Sequence, residues 1–304
     1  MLDLKVATIV VTYNRLGLLK QSIYNHINQT RRTDLLLIVD NSSTDGTSDF
    51  LKDITLDYAE IKIIKLKENT GGAGGFYAGL DFIKQKHPEI DWVWLMDDDA
   101  LPAYNALEAL LDGTLNMEFI YGSLPNMNEK CSWPNINLNK KKLNNINDFE
   151  GLEEVNWIPF LGFFISMNLV NKIGLPEKDF FLAADDVEYS FRAKQYGSKI
   201  FINSDSKIEH PCAETYRIFI LYRFLTNLKL VPWKRYYDTR NRILVARKYY
   251  GVKLYFQTIP ASFLRLLATL LYEDNRLLQI KAFLTGIYDG LLNKKGKRHD
   301  YWNL

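Results

Sequence analysis

Asp97-Asp98-Asp99 is the densest concentration of reactive groups in the chain. Three consecutive carboxylates repel one another, so folding them together is unfavourable without a cation. A hard divalent ion such as Mn2+ or Mg2+, liganded by oxygen and shared with phosphate oxygens, relieves that repulsion. In an extended segment positions i and i+2 point the same way, so Asp97 and Asp99 are expected to reach one site while Asp98 turns aside. The plain alternative is a solvated acidic turn. Placement straight after the apolar run Trp92-Val-Trp-Leu-Met96 argues against it, because ligands collect at strand ends. Gly71-Gly-Ala-Gly-Gly75 is glycine-dense enough to let a backbone approach a ligand and present N–H groups to an anion. It lacks the Lys-Ser/Thr of a P-loop and does not follow the first strand, which counts against an ATPase and a dehydrogenase.

Asp40 opens the stretch Asp40-Asn-Ser-Ser-Thr-Asp-Gly46, which is rich in turn and capping residues. Its carboxylate can accept a hydrogen bond from the ring N–H of uracil or thymine, or it can act as a cap alone. The pattern leaves both open. Asp185-Asp186-Val-Glu188 opens a helix, where acidic residues are favoured by the helix dipole. A carboxylate at a site mouth also serves as a general base toward a hydroxyl. His210, within Ile208-Glu-His-Pro211, offers a ring nitrogen to a metal, although a lone His among apolar neighbours is more often a satisfied structural group. His26, His87 and His299 receive no role.

The elements that must position these groups follow from hydrophobic periodicity. Val6-Ala-Thr-Ile-Val-Val11 shows no alternation, as a parallel strand buried on both faces requires. Leu35-Leu-Leu-Ile-Val39, Ile61–Leu66 and Trp92–Met96 read as three further strands, with helices from Arg15 to about Asn28, from about Ser48, and from the glycines to about Lys86. Strands alternating with helices at this spacing predict an open α/β fold with a mostly parallel sheet. Thr12-Tyr-Asn-Arg15, Asp40-Asn41, Gly71–Gly75 and Asp97–Asp99 each follow a strand, so they are expected at one sheet edge. Met127–Asp148, rich in Asn and Lys, reads as a loop or poorly ordered insertion. A helix is expected from Asp185 to about Tyr196, stopped by Gly197. Beyond Thr215 no strand signal stands out, and Glu214–Asn293 reads as amphipathic helices interrupted at Pro232, Gly251 and Pro260.

The chain has 304 residues, 47% apolar and 24% charged, which is ordinary for a folded protein of one or two domains. Its net charge of +2 hides an asymmetry. Met1–Ala213 carries 21 Lys/Arg against 30 Asp/Glu, whereas Glu214–Leu304 carries 17 against 6. A catalytic part followed by a basic module that meets something anionic fits this distribution. Two widely spaced cysteines, Cys131 and Cys212, fit a reducing compartment and offer no zinc spacing. No signal peptide is visible at the N-terminus. In Leu254–Tyr272 the residues Gln257, Pro260 and Arg265 interrupt the apolar run, and no membrane-spanning helix is expected there.

Four of these motifs occur together in the order seen in one family. Thr12-Tyr-Asn-Arg15, Asp40-Asn-Ser-Ser-Thr-Asp-Gly-Thr47, Asn69 with its glycines, and Asp97–Asp99 resemble the nucleotide-binding half of family-2 inverting glycosyltransferases of the GT-A fold. The resemblance runs from about Lys5 to His210. It implies a Rossmann-like GT-A domain over 1–213, followed by a basic, mostly helical region over 214–304. By the same resemblance Thr12, Tyr13, Asn14, Arg15, Asp40, Asn69, Gly71, Gly72, Gly74, Gly75 and Asp98 would hold a nucleotide-sugar donor. Asp97 and Asp99 would bind Mn2+ or Mg2+ with His210 completing the set, and Asp186 would be the catalytic base. Asn69–Phe76, Trp94–Ala100 and Asp185–Tyr189 are similar to bacterial galactofuranosyltransferases, which implies a UDP-galactofuranose donor and a glycan or lipid-linked saccharide acceptor. Relatives that use dTDP-rhamnose are the rival within the family. Galactan-building members carry an extra N-terminal β-domain and a Trp pair ahead of the base, where this chain offers Phe163-Phe164. Tyr236-Tyr-Asp-Thr-Arg-Asn241 also resembles a C-terminal motif of bacterial polysaccharide glycosyltransferases.

Lys294-Lys-Gly-Lys-Arg298, with Arg223, Lys229, Lys234 and Arg235, reads as a surface for anionic lipid headgroups. That implies a cytoplasmic protein, peripheral at the inner face of the plasma membrane, and no nucleic-acid partner. A non-catalytic nucleotide-sugar-binding protein would not need Asp99, Asp186 and His210 together. A nucleotidyltransferase would show a glycine-rich basic signature after the first strand, which Thr12-Tyr-Asn-Arg15 is not.

Overall fold

The first half of the chain alternates strand and helix in the order β1 (Val6–Thr12), α1 (Leu16–Ile27), β2 (Leu35–Asp40), α2 (Thr47–Asp57), β3 (Ile61–Lys65), α3 (Gly71–Lys86) and β4 (Trp92–Asp97). A computed structural model describes residues 4–112, 115–136, 142–220 and 223–304, and leaves out the side chains of 134–136, 142, 220, 223 and 225. Strands β3, β2, β1 and β4 lie side by side in that order, all parallel. The unbroken β-branched runs make sense here, because helices cover both faces. Ile9, Val11, Leu37 and Leu95 pack beneath Phe76, Leu80 and Ile83 of α3. Val10, Ile38, Trp94 and Met96 pack on the other face against Leu19 and Ile23 of α1 and Leu51 of α2.

The glycine stretch does not form a loop. It is the first turn of α3, and two of its four glycines are limited by packing. A Cβ on Gly75 would overlap the Val11 side chain, and one on Gly79 would sit 2.7 Å from Ile9 Cγ2. A Cβ on Gly74 would overlap Thr70. Gly75, expected to touch a nucleotide sugar, lets α3 lie close on the sheet, and Gly74 makes room for Thr70 at the helix start. Gly71 adopts φ +73°, and Gly72 faces open space.

The sheet continues through β5 (Leu101–Pro102), α4 (Ala106–Leu111), β6 (Ile120–Met127), β7 (Lys130–Ile136), β8 (Lys142–Asn145), β9 (Leu152–Glu154), β10 (Phe163–Ser166), α5 (Met167–Ile173), α6 (Asp185–Gln195) and β11 (Ile200–Glu209). Strand β10 runs antiparallel between β4 and β6, and β11 lies parallel to β6. Met127–Asp148, expected as a loop, is largely a hairpin. Met127 pairs with Lys130 across Asn128 and Glu129, both at positive φ, which is the geometry of a tight two-residue hairpin turn. Positions 137–141 of that stretch lie outside the described residues. Phe163 and Phe164 are wholly buried in β10, Phe164 stacked on Trp92 at 4.7 Å, so they supply no aromatic pair at a site mouth.

After residue 214 the expectation of helices alone is overturned. The strands β12 (Thr215–Ile220) and β13 (Arg223–Leu228) pair antiparallel before α7 (Pro232–Tyr249), α8 (Ile259–Tyr272) and α9 (Arg276–Leu291). Each strand carries a single charged residue, Arg217 and Arg223, and their apolar residues were read as helix faces. Two compact units result: Met1–Glu177 with Tyr189–Cys212, and Lys178–Glu188 with Ala213–Leu304. The second unit captures Lys178–Glu188 because α7 binds that segment, as described below. Its interior is unusually polar. Arg235, expected on a lipid-facing surface, is wholly buried and pairs with Glu273 at 2.7 Å. Arg298 donates to Asp289 at 2.8 Å and the Trp302 indole N–H to the same carboxylate at 2.7 Å. Part of the basic tail is therefore structural. The side chain of Arg223 is not among those described. Leu254–Tyr272 is long and apolar enough to cross a membrane, with mean hydropathy 1.3, contrary to the sequence expectation. Pro260 falls in the first turn of α8, where its missing N–H costs nothing, so it does not interrupt the helix.

Gly75→Val should destabilise the chain by about 1–3 kcal/mol, the usual cost of overpacking. Adding Val11→Ala should recover part of that loss. Urea unfolding of both variants checks it; an unchanged midpoint in Gly75→Val would return Gly75 to a ligand-facing role.

Candidate active site

Register brings the strand ends level, since Thr12 pairs with Asp40 and Val11 with Asp97. Beyond Asp97 the chain turns, closed by the Ala100 N–H on the Asp97 carbonyl at 3.2 Å. The alternation argument for Asp97 and Asp99 fails for that reason, because it assumed an extended segment. Asp98, only 3% exposed, points inward. Its oxygens accept from the Thr12 hydroxyl at 2.7 Å and the Arg15 guanidinium at 3.2 Å. Burial raises its pKa despite those two partners. Asp98 thus ties β1 to the end of β4 and offers little free surface to a sugar.

Asp99 faces the other way. Oδ2 accepts from Arg15 at 2.7 Å, while Oδ1 lies 3.4 Å from His210 Nε2. Burial alone would raise the Asp99 carboxyl, but His210 and Arg15 outweigh it and hold it below the usual range. The fold explains how His210 arrives. Strand β5, two residues after Asp99, pairs Leu101 with Glu209 of β11, which sets the next residue of β11 beside the acidic turn. Ser132 and Asn126 then fix its backbone, through the Ser132 hydroxyl on the His210 carbonyl and the His210 N–H on the Asn126 carbonyl. Its Nδ1 is buried without a hydrogen-bond partner. Among the described residues no group of three or more His, Cys, Asp or Glu is arranged to hold a metal. Asp99 and His210 are the pair the structure assembles, and Asp97 does not join them as a third ligand. One carboxylate oxygen and one imidazole nitrogen, 19% and 14% exposed, are donor types that would suit a divalent ion.

A second polar network joins the ends of β1 and β2 to the start of α3. Asn41 accepts from the Thr70 N–H at 2.8 Å and donates to the Gly71 carbonyl at 2.9 Å. Asn69 accepts from the Gly71 N–H at 2.8 Å. Asn14, at φ 51°, accepts from the Thr44 N–H at 2.7 Å. Asp40 is fully buried, accepting from the Ser43 N–H at 2.8 Å and the Ser48 hydroxyl at 2.7 Å. Of its two open readings, the geometry shows the loop-holding one. Tyr13, Asn14 and Arg15 are exposed, Thr70 makes no side-chain cap, and of the first-turn N–H groups of α3 that of Gly71 is taken by Asn69.

Asp185 and Asp186 belong to the second unit, at the start of α6. Burial raises both carboxyls, and the Asp185 charge raises Asp186 further, while Arg242 pulls it down. The segment before them is strained, with Phe181, Ala183 and Ala184 at φ 64°, 69° and 63°. Non-glycine residues hold such angles only under constraint. The constraint comes from α7. Asn241 donates to the carbonyls of Phe180, Leu182 and Ala183 at 3.0, 2.8 and 2.8 Å, and Arg240 donates to the Phe180 carbonyl at 2.7 Å. Tyr237 stacks on Phe181 at 4.9 Å. Sequence reasoning singled out Tyr236–Asn241 but gave these residues no role. Their partners lie about sixty residues earlier in the chain, which no local pattern reveals.

The parallel half-sheet, the acidic turn with its histidine and the helix that opens on glycine define the GT-A type of nucleotide-dependent transferase. The sequence model of glycosyl transferase family 2 matches residues 8–160, and the chain belongs to that family. It is a glycosyltransferase and resembles galactofuranosyltransferases. It is 24% identical over 251 residues to the galactofuranosyltransferase GlfT1 of Mycolicibacterium smegmatis, covering 78% of this chain and 81% of that protein. To GlfT1 of Mycobacterium tuberculosis strain H37Rv it is 26% identical over 251 residues, covering 78% and 80%. Among solved structures, GalNAc-T7 with UDP, GalNAc and Mn2+ is similar with TM-score 0.63 at 13% identity, covering 91% of this chain. The chain spans 54% of that protein's length. The mannosyltransferase PcManGT of Pyrobaculum calidifontis, in complex with GDP-Man and Mn2+, gives TM-score 0.60 at 15% identity, covering 95% and 88%.

Asn241→Ala should lower turnover by on the order of tenfold or more while leaving UDP affinity unchanged. It removes three hydrogen bonds, each worth about 0.5–1.5 kcal/mol, from the strained segment. Calorimetric UDP titration beside a rate assay separates this from general unfolding, which would weaken both.

Proposed function

We propose that the chain is an inverting, metal-dependent transferase that moves galactofuranose from UDP-galactofuranose to a lipid-linked polysaccharide. The carrying observation is the similarity to GlfT1 over four-fifths of that protein's length. A nucleotide-sugar donor and Mn2+ are supported by the UDP, GDP-Man and Mn2+ found with the two fold neighbours. The donor's nucleotide would lie along Thr12–Arg15, the Asp40 loop and the start of α3. Asp99 and His210 would hold Mn2+ or Mg2+. Asp97 drops out of that set, for the reason given above. The ion, when bound, neutralises charge on the diphosphate.

The chain's own residues supply the rest. Asp186 takes the proton of the acceptor hydroxyl, whose oxygen attacks the anomeric carbon as the nucleoside diphosphate leaves, with inversion. Arg15 and the first-turn N–H groups of α3 stabilise the charge growing on the leaving phosphate. A base raised by burial is a stronger proton acceptor once ionised, which suits this task. An acceptor grown on a lipid carrier places the enzyme at the inner face of the plasma membrane.

A panel of UDP- and dTDP-sugars, read by nucleoside diphosphate release, tests the donor. UDP-galactofuranose should be turned over, EDTA should abolish release and Mn2+ should restore it. Turnover of dTDP-rhamnose alone would replace the donor, and full activity after exhaustive chelation would remove the metal.

Asp186→Asn should reduce transfer by on the order of 10² to 10⁴, the scale of a lost general base, with UDP binding nearly unchanged. The base must be ionised, and its pKa is raised. The acid limb of the kcat/KM profile should therefore lie above the usual aspartate value of about 4. Asp185→Asn removes the neighbouring charge and should shift that limb to lower pH. Loss of activity in Asp185→Asn alone would mean the other carboxylate is the base.

A further inference from the structure

Helix α8 is built in reverse for a helix that faces water. Surface helices bury their apolar stripe and expose their polar one. Here the buried residues are Ser262, Ala268 and Thr269, and Arg265 on the same side lies 3.5 Å from Asp238. The outward residues are Phe263, Leu267 and Leu271, a continuous stripe at i, i+4 and i+8. The π-helical turn Leu254–Thr258 ahead of α8 extends that stripe with Tyr255 and with Phe256, which is 80% exposed. Only 22% of Leu254–Tyr272 is buried.

Helix α9 buries a mixed face, Ala282, Phe283 and Ile287 together with Gln279 and Asp289, yet Leu277, 83% exposed, and Leu284 still face outward. The two buried carboxylates beneath these helices are each held by several donors. Glu273 accepts from Arg235, Tyr216 and Gln279, and Asp289 accepts from Tyr236, Arg298 and Trp302. Exposed apolar surface of this extent marks a docking face.

Charge selects the occupant. Lys253 is exposed ahead of the apolar stripe, and Arg276 is exposed beyond its other end next to exposed Asp274. Residues 214–304 carry 17 Lys/Arg against 6 Asp/Glu. A second copy of this chain would bring the same cations to the same face and be repelled. An anionic lipid leaflet offers acyl chains to the stripe and headgroups to its ends. The inner side of α8 is also stitched to the hairpin, since Asn227 donates to the Thr269 hydroxyl at 3.1 Å. A helix fastened along one side lies in the membrane plane and does not cross it.

We propose that α8, with the turn before it and the outward leucines of α9, docks in the headgroup–acyl boundary of an anionic bilayer leaflet. This deepens the proposed peripheral location and rests on that reading. It moves the contact from Lys294–Arg298, where Arg298 is committed to Asp289, to an apolar face that composition alone did not single out.

Sedimentation of the full chain with vesicles of phosphatidylglycerol and phosphatidylcholine in equal parts tests the proposal. The wild type should pellet with them. The quadruple variant Phe256→Ser, Phe263→Ser, Leu267→Ser, Leu271→Ser should lose binding by on the order of tenfold or more, given the apolar area withdrawn. Its UDP affinity should stay unchanged, which controls for folding. Lys253→Glu with Arg276→Glu keeps the stripe and should abolish the preference over pure phosphatidylcholine vesicles. Equal pelleting of the wild type and the quadruple variant overturns the proposal. A lipid-free dimer of the wild type that the quadruple variant dissolves also overturns it, in favour of a second copy. Neither assay reads transfer, so a wrong donor assignment leaves the vesicle result standing.

Discussion

A carboxylate shut away from water must be paired, and at Asp98 that requirement organises the donor side of the protein. Its two oxygens are held by Thr12 at the end of β1 and by Arg15 at the start of α1. Taking one partner away would leave a buried charge uncompensated, which is far costlier than losing an exposed ion pair. The pairing locks the turn after β4 with Asp98 facing in, and that leaves Asp99 facing His210. Arg15 bridges both carboxylates, so one guanidinium fixes the spacing of the whole acidic turn. The position of Asp99 therefore depends on its buried neighbour.

The second unit follows the same rule in a different form. In its core Arg235 is buried against Glu273 and Asp289 against Arg298, whereas Arg240 is held by backbone carbonyls and aromatic rings. Arg240 and Asn241 spend their donors on backbone carbonyls of the segment that leads to Asp185 and Asp186. That segment carries three non-glycine residues at positive φ, which no local preference supports. The backbone leading to Asp185 and Asp186 is thus held by hydrogen bonds from a helix more than fifty residues later in the chain. The same unit leaves Phe263, Leu267 and Leu271 of α8 and Leu277 and Leu284 of α9 facing out.

The parallel half-sheet was legible because unbroken runs such as Val6–Val11 and Leu35–Val39 have no stable place except between two helical layers. The strand-end rule also placed Thr12, Asp40 and the acidic triplet at one edge without any contact being known. His210 was singled out through the family resemblance, and its chemistry alone did not reveal it, since its pairing with Asp99 depends on β5 meeting β11 more than a hundred residues away. The hairpin β6–β7 was misread as a loop because Asn and Lys dominate the composition of Met127–Asp148, and its turn, Asn128-Glu129, is short. The strands β12 and β13 carry one charged residue each, Arg217 and Arg223, and their apolar residues were read as helix faces.

What the sequence by itself determined is whatever depends on local periodicity and on carboxylates too close together to tolerate one another. That covers the strand–helix alternation, the acidic turn and the helix starting at Asp185. Tertiary structure decided everything that depends on which distant group supplies a partner. It turned Gly74 and Gly75 from ligand contacts into packing gaps, because Val11 and Thr70 stand opposite them. It also buried Arg235 and exposed Phe256, since a side chain's environment is set by what folds against it and not by its own polarity.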